Sequence, residues 1–231
     1  FSFHTAFVEF LGGPEFAHLL LLVPLKNLIT VEEMLICNKA AKSLTQIAAL
    51  LSAQQLEDYY LPAMKGLSVA EWFTSQATST SLDAAAYPTV SNTTKDEMRR
   101  MCSALCADKT PMVQRAAAKE LGPLAKVLPQ SHLVTALIPV FRKLAADHQD
   151  LVRLLTVDAL TAIASSLPDK AVCKQQLGST IKAMVSDQSW RVRYMIANHF
   201  AQLAKSAGQD VVREELVGAF VHLLNNNEAE V

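Results

Sequence analysis

The sequence predicts an all-α chain, an α-solenoid of stacked antiparallel helix pairs. Three observations carry that prediction. A turn motif recurs at Asp108-Lys109-Thr110-Pro111-Met112-Val113, Asp147-His148-Gln149-Asp150-Leu151-Val152 and Asp187-Gln188-Ser189-Trp190-Arg191-Val192, and its Val positions are 39 and 40 residues apart. A fixed step in that range is the mark of stacked repeats. Around each Val, apolar residues fall at helical spacing on both sides, with no competing period of two. The composition fits a long helical core, since 51% of the 231 residues are apolar and only 7 are Gly.

The elements follow in order. In the first copy, Leu21, Leu25 and Leu28 mark a first helix, A. Ile36, Ala40, Leu44, Ile47, Ala48 and Leu51 then mark a second helix, B. The second copy, Leu56 to Val90, is degenerate. Leu61, Met64 and Leu67 form its helix A, and Trp72-Phe73-Thr74 its turn. Its helix B is polar at Thr74, Ser75, Thr78 and Ser79, so its phase is open by one residue. A non-helical link, Tyr87 to Thr94, follows. Pro88 stops helix B there, and Ser, Thr and Asn restart helix A at Lys95.

The third helix B carries Val113, Ala117, Leu121, Leu124, Ala125 and Leu128. The fourth pair carries Leu137, Phe141 and Leu144, then Val152, Thr156, Leu160, Ile163, Ala164 and Leu167. The fifth carries Leu177, Ile181 and Met184, then Val192, Ile196, Phe200, Leu203, Ala204 and Ala207. Reading back from Val231 gives Leu216, Phe220 and Leu223. Each unit is an αα-hairpin with a tight turn. The expected organisation is one array over 1–231, with complete repeats at 14–51, 53–89, 93–128, 130–167 and 170–207 and partial ones at 1–12 and 209–231. Because Val231 falls in mid-repeat, the chain reads as a fragment of a longer array.

Local chemistry supports the turns. Thr110 followed by Pro111 is a good helix start, Ser189 stands in the same phase, and at Gln149-Asp150 the cap shifts to Asp150. Pro24, Pro62 and Pro139 fall inside helix A, each removing one hydrogen bond and bending it.

Several function classes are excluded. A net charge of −1 gives no basic field for nucleic acid. The four Cys (37, 102, 106, 173) form no CxxC and read as reduced thiols of a cytoplasmic or nuclear protein. The apolar run Phe16 to Leu25 is too short to span a membrane, and no basic segment before it suggests a signal peptide. No phosphate-binding glycine loop, GxSxG or HExxH occurs, so neither enzyme nor cofactor is expected. Cys102 and Cys106 stand four apart on a helix but lack further ligands, and they read as core thiols rather than a metal site. The scattered His have no partner at metal spacing.

Helix A with internal Pro, a turn Asp and Val-Arg opening helix B resembles the HEAT repeat. Gly12-Gly13-Pro14-Glu15, Val31-Glu32-Glu33, Glu71-Trp72-Phe73-Thr74-Ser75, Thr110-Pro111-Met112-Val113 and Ser189-Trp190-Arg191-Val192-Arg193-Tyr194-Met195 are similar to the scaffold (A) subunits of protein phosphatase 2A, over essentially the whole chain. Cys37 and Gln114 depart from the pattern where the repeat usually has Arg. The resemblance implies a right-handed superhelix and a non-catalytic scaffold. Its N-terminal repeats dock a B-type regulatory subunit through the turns, and repeats beyond Val231 dock the catalytic subunit. The alternative is an importin-β-like transport protein or other adaptor, which the neutral charge does not favour.

Two residue sets follow. Asp147/Arg153 and Asp187/Arg193 repeat at a spacing of six, and with Asp108 they suggest a ladder in which carboxylate and guanidinium of neighbouring turns pair. Gln114 breaks it at one rung, with Arg115 beside it as a partial substitute. Trp72 and Trp190 are 118 residues apart, placing both at one turn phase. Each indole either covers its own hairpin or stands exposed as a binding anchor, Trp190 with Arg191 beside it. The expected partner-binding edge is Glu32, Glu33, Trp72, Phe73, Thr110, Pro111, Met112, Arg115, Asp150, Ser189, Trp190 and Arg191.

Overall fold

The computed structural model describes residues 8, 10, 12, 13, 16, 18–31 and 33–225. Among them every regular element is a helix. The chain divides into two compact units, Phe1–Ala117 and Ala118–Val231.

The first unit holds α1 (18–29), α2 (Met34–Ala48), α3 (53–68), α4 (73–86), α5 (Asn92–Cys106) and the start of α6 (Pro111–Val127). The second holds the rest of α6, then α7 (130–145), α8 (Asp150–Ser166), α9 (Lys170–Val185), α10 (Trp190–Ala207) and α11 (209–224). Odd-numbered helices are the A helices and even-numbered ones the B helices. The stripes that define the repeat are the core. Val113, Leu121, Val152, Leu160, Ile163, Val192 and Ile196 are fully buried, as are Phe141, Leu177 and Ile181 on the A helices. Each such side chain contributes about 1.5–3 kcal/mol by leaving water. Gly122 lets α6 approach α8, because a Cβ there would meet Ala159 and Ala162 at 3.7 Å.

In the first repeat Ala40, Leu44, Ile47, Ala48 and Leu51 are buried as expected, but helix A and the start of helix B are rotated from the expected register. Ile29 and Leu22 are buried, whereas Leu28 is exposed and Leu21 and Leu25 are half-buried. On α2 the buried residue is Cys37, and Ile36 lies 43% exposed. This stretch is apolar at adjacent positions, so spacing alone cannot choose a face. The chosen face puts the Cys37 thiol beneath the turn, where it donates to Ile29 O (3.3 Å) and Val31 O (3.1 Å). On α11, Ala219 is buried in place of Phe220, whose half-exposed ring packs 5.4 Å from Phe200. Phe200 and Ala204 are themselves only half-buried.

The internal prolines of the A helices are each prepared for by the turn before them. Pro24, Pro62 and Pro139 stand second in the α-helical segments Val23–Ile29, Leu61–Ser68 and Ile138–Ala145. Each segment follows a five-residue π-helical stretch, His18–Leu22, Leu56–Tyr60 or Leu133–Leu137. The wider π turn accommodates a residue with no N–H and a ring that would strike the carbonyl four residues back. In α11, which has no proline, Gly218 follows the stretch Val212–Leu216. Helix A of the third repeat starts earlier than Lys95. Ser91 caps α5, its hydroxyl accepting from Thr94 N at 3.4 Å, while its own N–H donates to Glu57 Oε1 at 2.7 Å.

The joint between the fourth and fifth repeats rests on Lys170. Its ammonium donates to Ala164 O, Leu167 O and Ser206 O at 2.7–3.2 Å, joining the C-terminal ends of α8 and α10. Gly208, at φ 95° and ψ 161°, lies in backbone space that only Gly occupies readily, and a Cβ there would meet Lys170 Cβ and Cγ at 2.9 Å. Gly208→Ala is expected to cost about 1–3 kcal/mol in backbone strain alone. Urea denaturation followed by helicity checks this, and unchanged stability would mean the joint relaxes freely.

Candidate protein-docking surface

The turn carboxylates build the turns. Asp108, Asp147 and Asp187 each accept, through Oδ1, the N–H two residues on, from Thr110 (2.7 Å), Gln149 (2.9 Å) and Ser189 (2.8 Å). This Asx geometry closes the bend within the hairpin. The carbonyls of Thr110, Gln149 and Ser189 then receive the first helical N–H groups of α6, α8 and α10.

Arg153 links two such turns. Its Nε and Nη2 donate to Asp187 Oδ2 and Oδ1, both at 2.7 Å, and Nη1 donates to Asp147 O (2.8 Å) and His148 O (3.2 Å). The side chains of this pair are 7% and 9% exposed, so the fork is both bidentate and desolvated. Asp187's hydrogen bonds are the main cause holding the guanidinium above its ordinary range, against the effect of burial. Arg193 repeats the inner half, donating to Asp187 O (2.7 Å) and Gln188 O (3.2 Å). Cys37 occupies the equivalent position on α2, and its thiol also reaches turn carbonyls.

The expected caps are corrected in two turns. Gln149, not Asp150, precedes α8, and Asp150 is the first helical residue. Ser189 does precede α10, but its hydroxyl turns away from that helix and donates to Asp150 Oδ2 at 2.9 Å. Arg191 Nη1 lies 3.5 Å from the same oxygen. The charged Asp150 acceptor orients the hydroxyl that Ser189 would otherwise aim at a local N–H. An open cleft of about 520 Å³ lies here, lined by Gln149, Asp150, Leu151, Gln188 and Ser189 among others.

Asp150 is held below the usual carboxylate range, first by the Ser189 hydroxyl and further by Leu151 N–H and Arg191. A depressed carboxylate adds stability that is present above its unfolded value, about 3.9, and is lost as pH falls through the folded one. Ser189→Ala is expected to move the Asp150 midpoint upward in a carboxyl-resolved NMR titration. An unmoved midpoint would assign the effect to Arg191 instead.

The aromatic candidates differ from one another. Trp72 is 57% exposed and immediately precedes α4, with Phe73 as its first residue. Trp190 is the first residue of α10 and half-buried, with Arg191 5.1 Å over its ring and Tyr194 edge-on at 6.5 Å. The two Trp are therefore one residue out of phase, since α4 begins at Phe73, after its Trp, and α10 begins at Trp190 itself. Met112 is 40% exposed, and Thr110 and Pro111 are half-buried beside it. Arg115 donates to Pro111 O at 3.2 Å and buttresses its own helix start. Glu33 is exposed and accepts weakly from Leu35 N (3.5 Å), while Glu32 lies outside the described residues.

Sequence reasoning missed Tyr194, although its position four residues after Trp190 was the signal. It also missed the exposed Leu35, Ile36 and Val69 near the first two turns, of which Ile36 read as core. Among the described residues, His, Cys, Asp and Glu form no group of three able to hold a metal ion. Also among them, no helix is long and apolar enough to cross a membrane. Cys106 is buried and Cys102 half-buried, and a hydrogen bond between them leads the causes that raise the Cys102 thiol well above its ordinary value.

No family model matches the chain. It is 41% identical over 210 residues to the regulatory A subunit of protein phosphatase PP2A from Schizosaccharomyces pombe, covering 90% of this chain and 35% of that protein. The Saccharomyces cerevisiae protein of the same name is 34% identical, covering 86% and 32%. The beta isoform of the human 65 kDa regulatory A subunit of serine/threonine-protein phosphatase 2A is 48% identical over 122 residues, covering 53% and 20%. The chain thus spans about a third of the length of the first of these relatives. Among solved structures, the karyopherin Kap121p bound to the SUMO protease Ulp1p matches with a TM-score of 0.71 at 13% identity, over 93% of this chain and 23% of that one. A designed armadillo repeat protein matches at 0.53 and 15%, over 90% and 94%. These structural likenesses establish the solenoid fold and nothing more. By sequence the chain belongs with the regulatory A subunits of protein phosphatase 2A, and its fold is an all-α HEAT-type solenoid.

Proposed function

We propose that this chain is a non-catalytic scaffold segment of a Ser/Thr protein phosphatase 2A complex, and that its intra-repeat turns dock a B-type regulatory subunit. The observation that carries the reading is the 41% identity to a phosphatase regulatory A subunit over nine-tenths of the chain. The geometry adds anchors of the right kind. Trp72, Phe73, Met112 and the Trp190–Arg191 pair stand at turns and offer aromatic and guanidinium surface, the residue types favoured at binding hot spots. Asp150 and Ser189 add a polar cleft next to Trp190. In this reading the catalytic subunit docks on other repeats of the longer protein, and the complex works in the cytoplasm and the nucleus.

The test is a titration of the purified B-type regulatory and catalytic subunits of the phosphatase, separately, into this chain. The B-type subunit is expected to bind saturably, with no binding of the catalytic subunit. Binding of only the catalytic subunit would reverse the assignment of the segment, and binding of neither would remove it.

A further inference from the structure

Helix α4 differs from every other B helix in what it buries. Thr74, Ser75, Thr78, Ser79, Thr80 and Asp83 are all at most 7% exposed, and its buried apolar residues are only Ala77, Leu82 and Ala86. The helix is also broken into Phe73–Ser79, a 3-10 turn at Thr80–Leu82, and Asp83–Ala86. One cause accounts for the break. The hydroxyls of Ser79, Thr80 and Ser81 donate to the carbonyls three residues back, those of Gln76, Ala77 and Thr78, at 2.7–2.9 Å. Consecutive bonds of that span compete with the α-helical ladder and tighten the turn. They satisfy these hydroxyls within α4 itself, so the hydroxyls do not tie it to its neighbours. Two bonds that do reach other helices, from Ser75 Oγ to Ile29 O and from Tyr60 Oη to Leu82 O, are long (3.4 and 3.3 Å). Its neighbour α2, by contrast, buries Leu44, Ile47 and Ala48.

We propose that α4 is a built-in opening element, a helix that unfolds locally ahead of the rest of its unit and takes Trp72 and Phe73 with it. Local opening is drawn from segments with little apolar burial, and α4 is the B helix that meets this condition. Trp72 and Phe73 form its N-terminal edge, so their position depends on its order.

Hydrogen exchange on the intact chain tests this. Amides over 75–86 should exchange about tenfold or more faster than those over 37–48 of α2, after correction for intrinsic rates. Replacing two of these back-bonding hydroxyls, Ser79→Ala with Thr80→Val, should slow exchange over 75–86 several-fold and leave 37–48 unchanged. Protection of α4 equal to that of α2 in the wild-type chain overturns the inference whether or not the variant folds. Unchanged exchange over 75–86 in a folded variant overturns it as well.

Discussion

Arg153→Ala should destabilise the second unit by about 3–5 kcal/mol, the loss expected when one partner is removed from a desolvated ion pair. The guanidinium has two tasks, and the substitution removes both. It holds both oxygens of Asp187, and it covers the carbonyls of Asp147 and His148. With Arg153 gone, Asp187 keeps its charge in a nearly dry site, supported there by Ser189 N–H. The control is Lys143→Ala, an exposed position on α7. Arg142 would be a poor control, because its guanidinium holds the Gln176 carbonyl and side chain on α9. Urea denaturation and native-state exchange over α7–α10 provide the measurement. A loss no greater than that of Lys143→Ala would reduce the ladder to a solvated surface pair, worth at most about 1 kcal/mol.

Trp190→Ala is expected to weaken binding of the B-type regulatory subunit by about 2 kcal/mol, roughly 30-fold. The indole is pre-positioned between Arg191 and Tyr194, so little side-chain freedom remains to be lost on binding. Trp72→Ala should have an effect of the same sign, and because Trp72 stands largely in solvent its removal should leave the unbound fold intact. Isothermal titration with helicity checked on each variant separates the possibilities. If Trp190→Ala lowers stability and leaves affinity untouched, the indole is a lid on its own hairpin. If neither variant changes either quantity, the aromatic anchors have no part in docking.

The repeat was legible because one short string carries three constraints at once. Asp closes the turn, the next helix opens two or three residues on, and Val sets which face is buried. Hence Val113, Val152 and Val192 are all fully buried. Register was illegible where the chain is apolar on both sides of a position, as at Leu28-Ile29 and Ile36-Cys37. There the deciding contact was a thiol bonded to two carbonyls, which no hydropathy pattern encodes. Cap identity failed for a related reason. The best partner of Ser189 belongs to a turn 39 residues away, and local rules weigh only the nearest amide. The π-helical stretches were hidden because a proline signals that a hydrogen bond is missing, not how the turn before it reorganises. The exposure of the two Trp was hidden because it depends on their neighbours' rotamers. Arg191 and Tyr194 fold over Trp190, while Trp72 keeps most of its surface in solvent.

The contact of Arg153 with Asp187 has a direction. The arginine is rooted in its own turn by two carbonyls and reaches forward to the carboxylate of the next copy, never backward. A repeat that carries both the Asp and the Arg therefore behaves like a piece with a plug at one end and a socket at the other. The socket is the turn Asp, and the plug is the Arg six residues later. A copy with Gln114 at that position keeps its socket at Asp108 but has no guanidinium to offer. It follows that repeats of this kind are not freely exchangeable in order. A copy lacking the plug can close a block without loss, whereas one lacking the socket strands the charge of the copy before it. In a spliced or reshuffled array, the sequence at those two positions would decide which junctions hold.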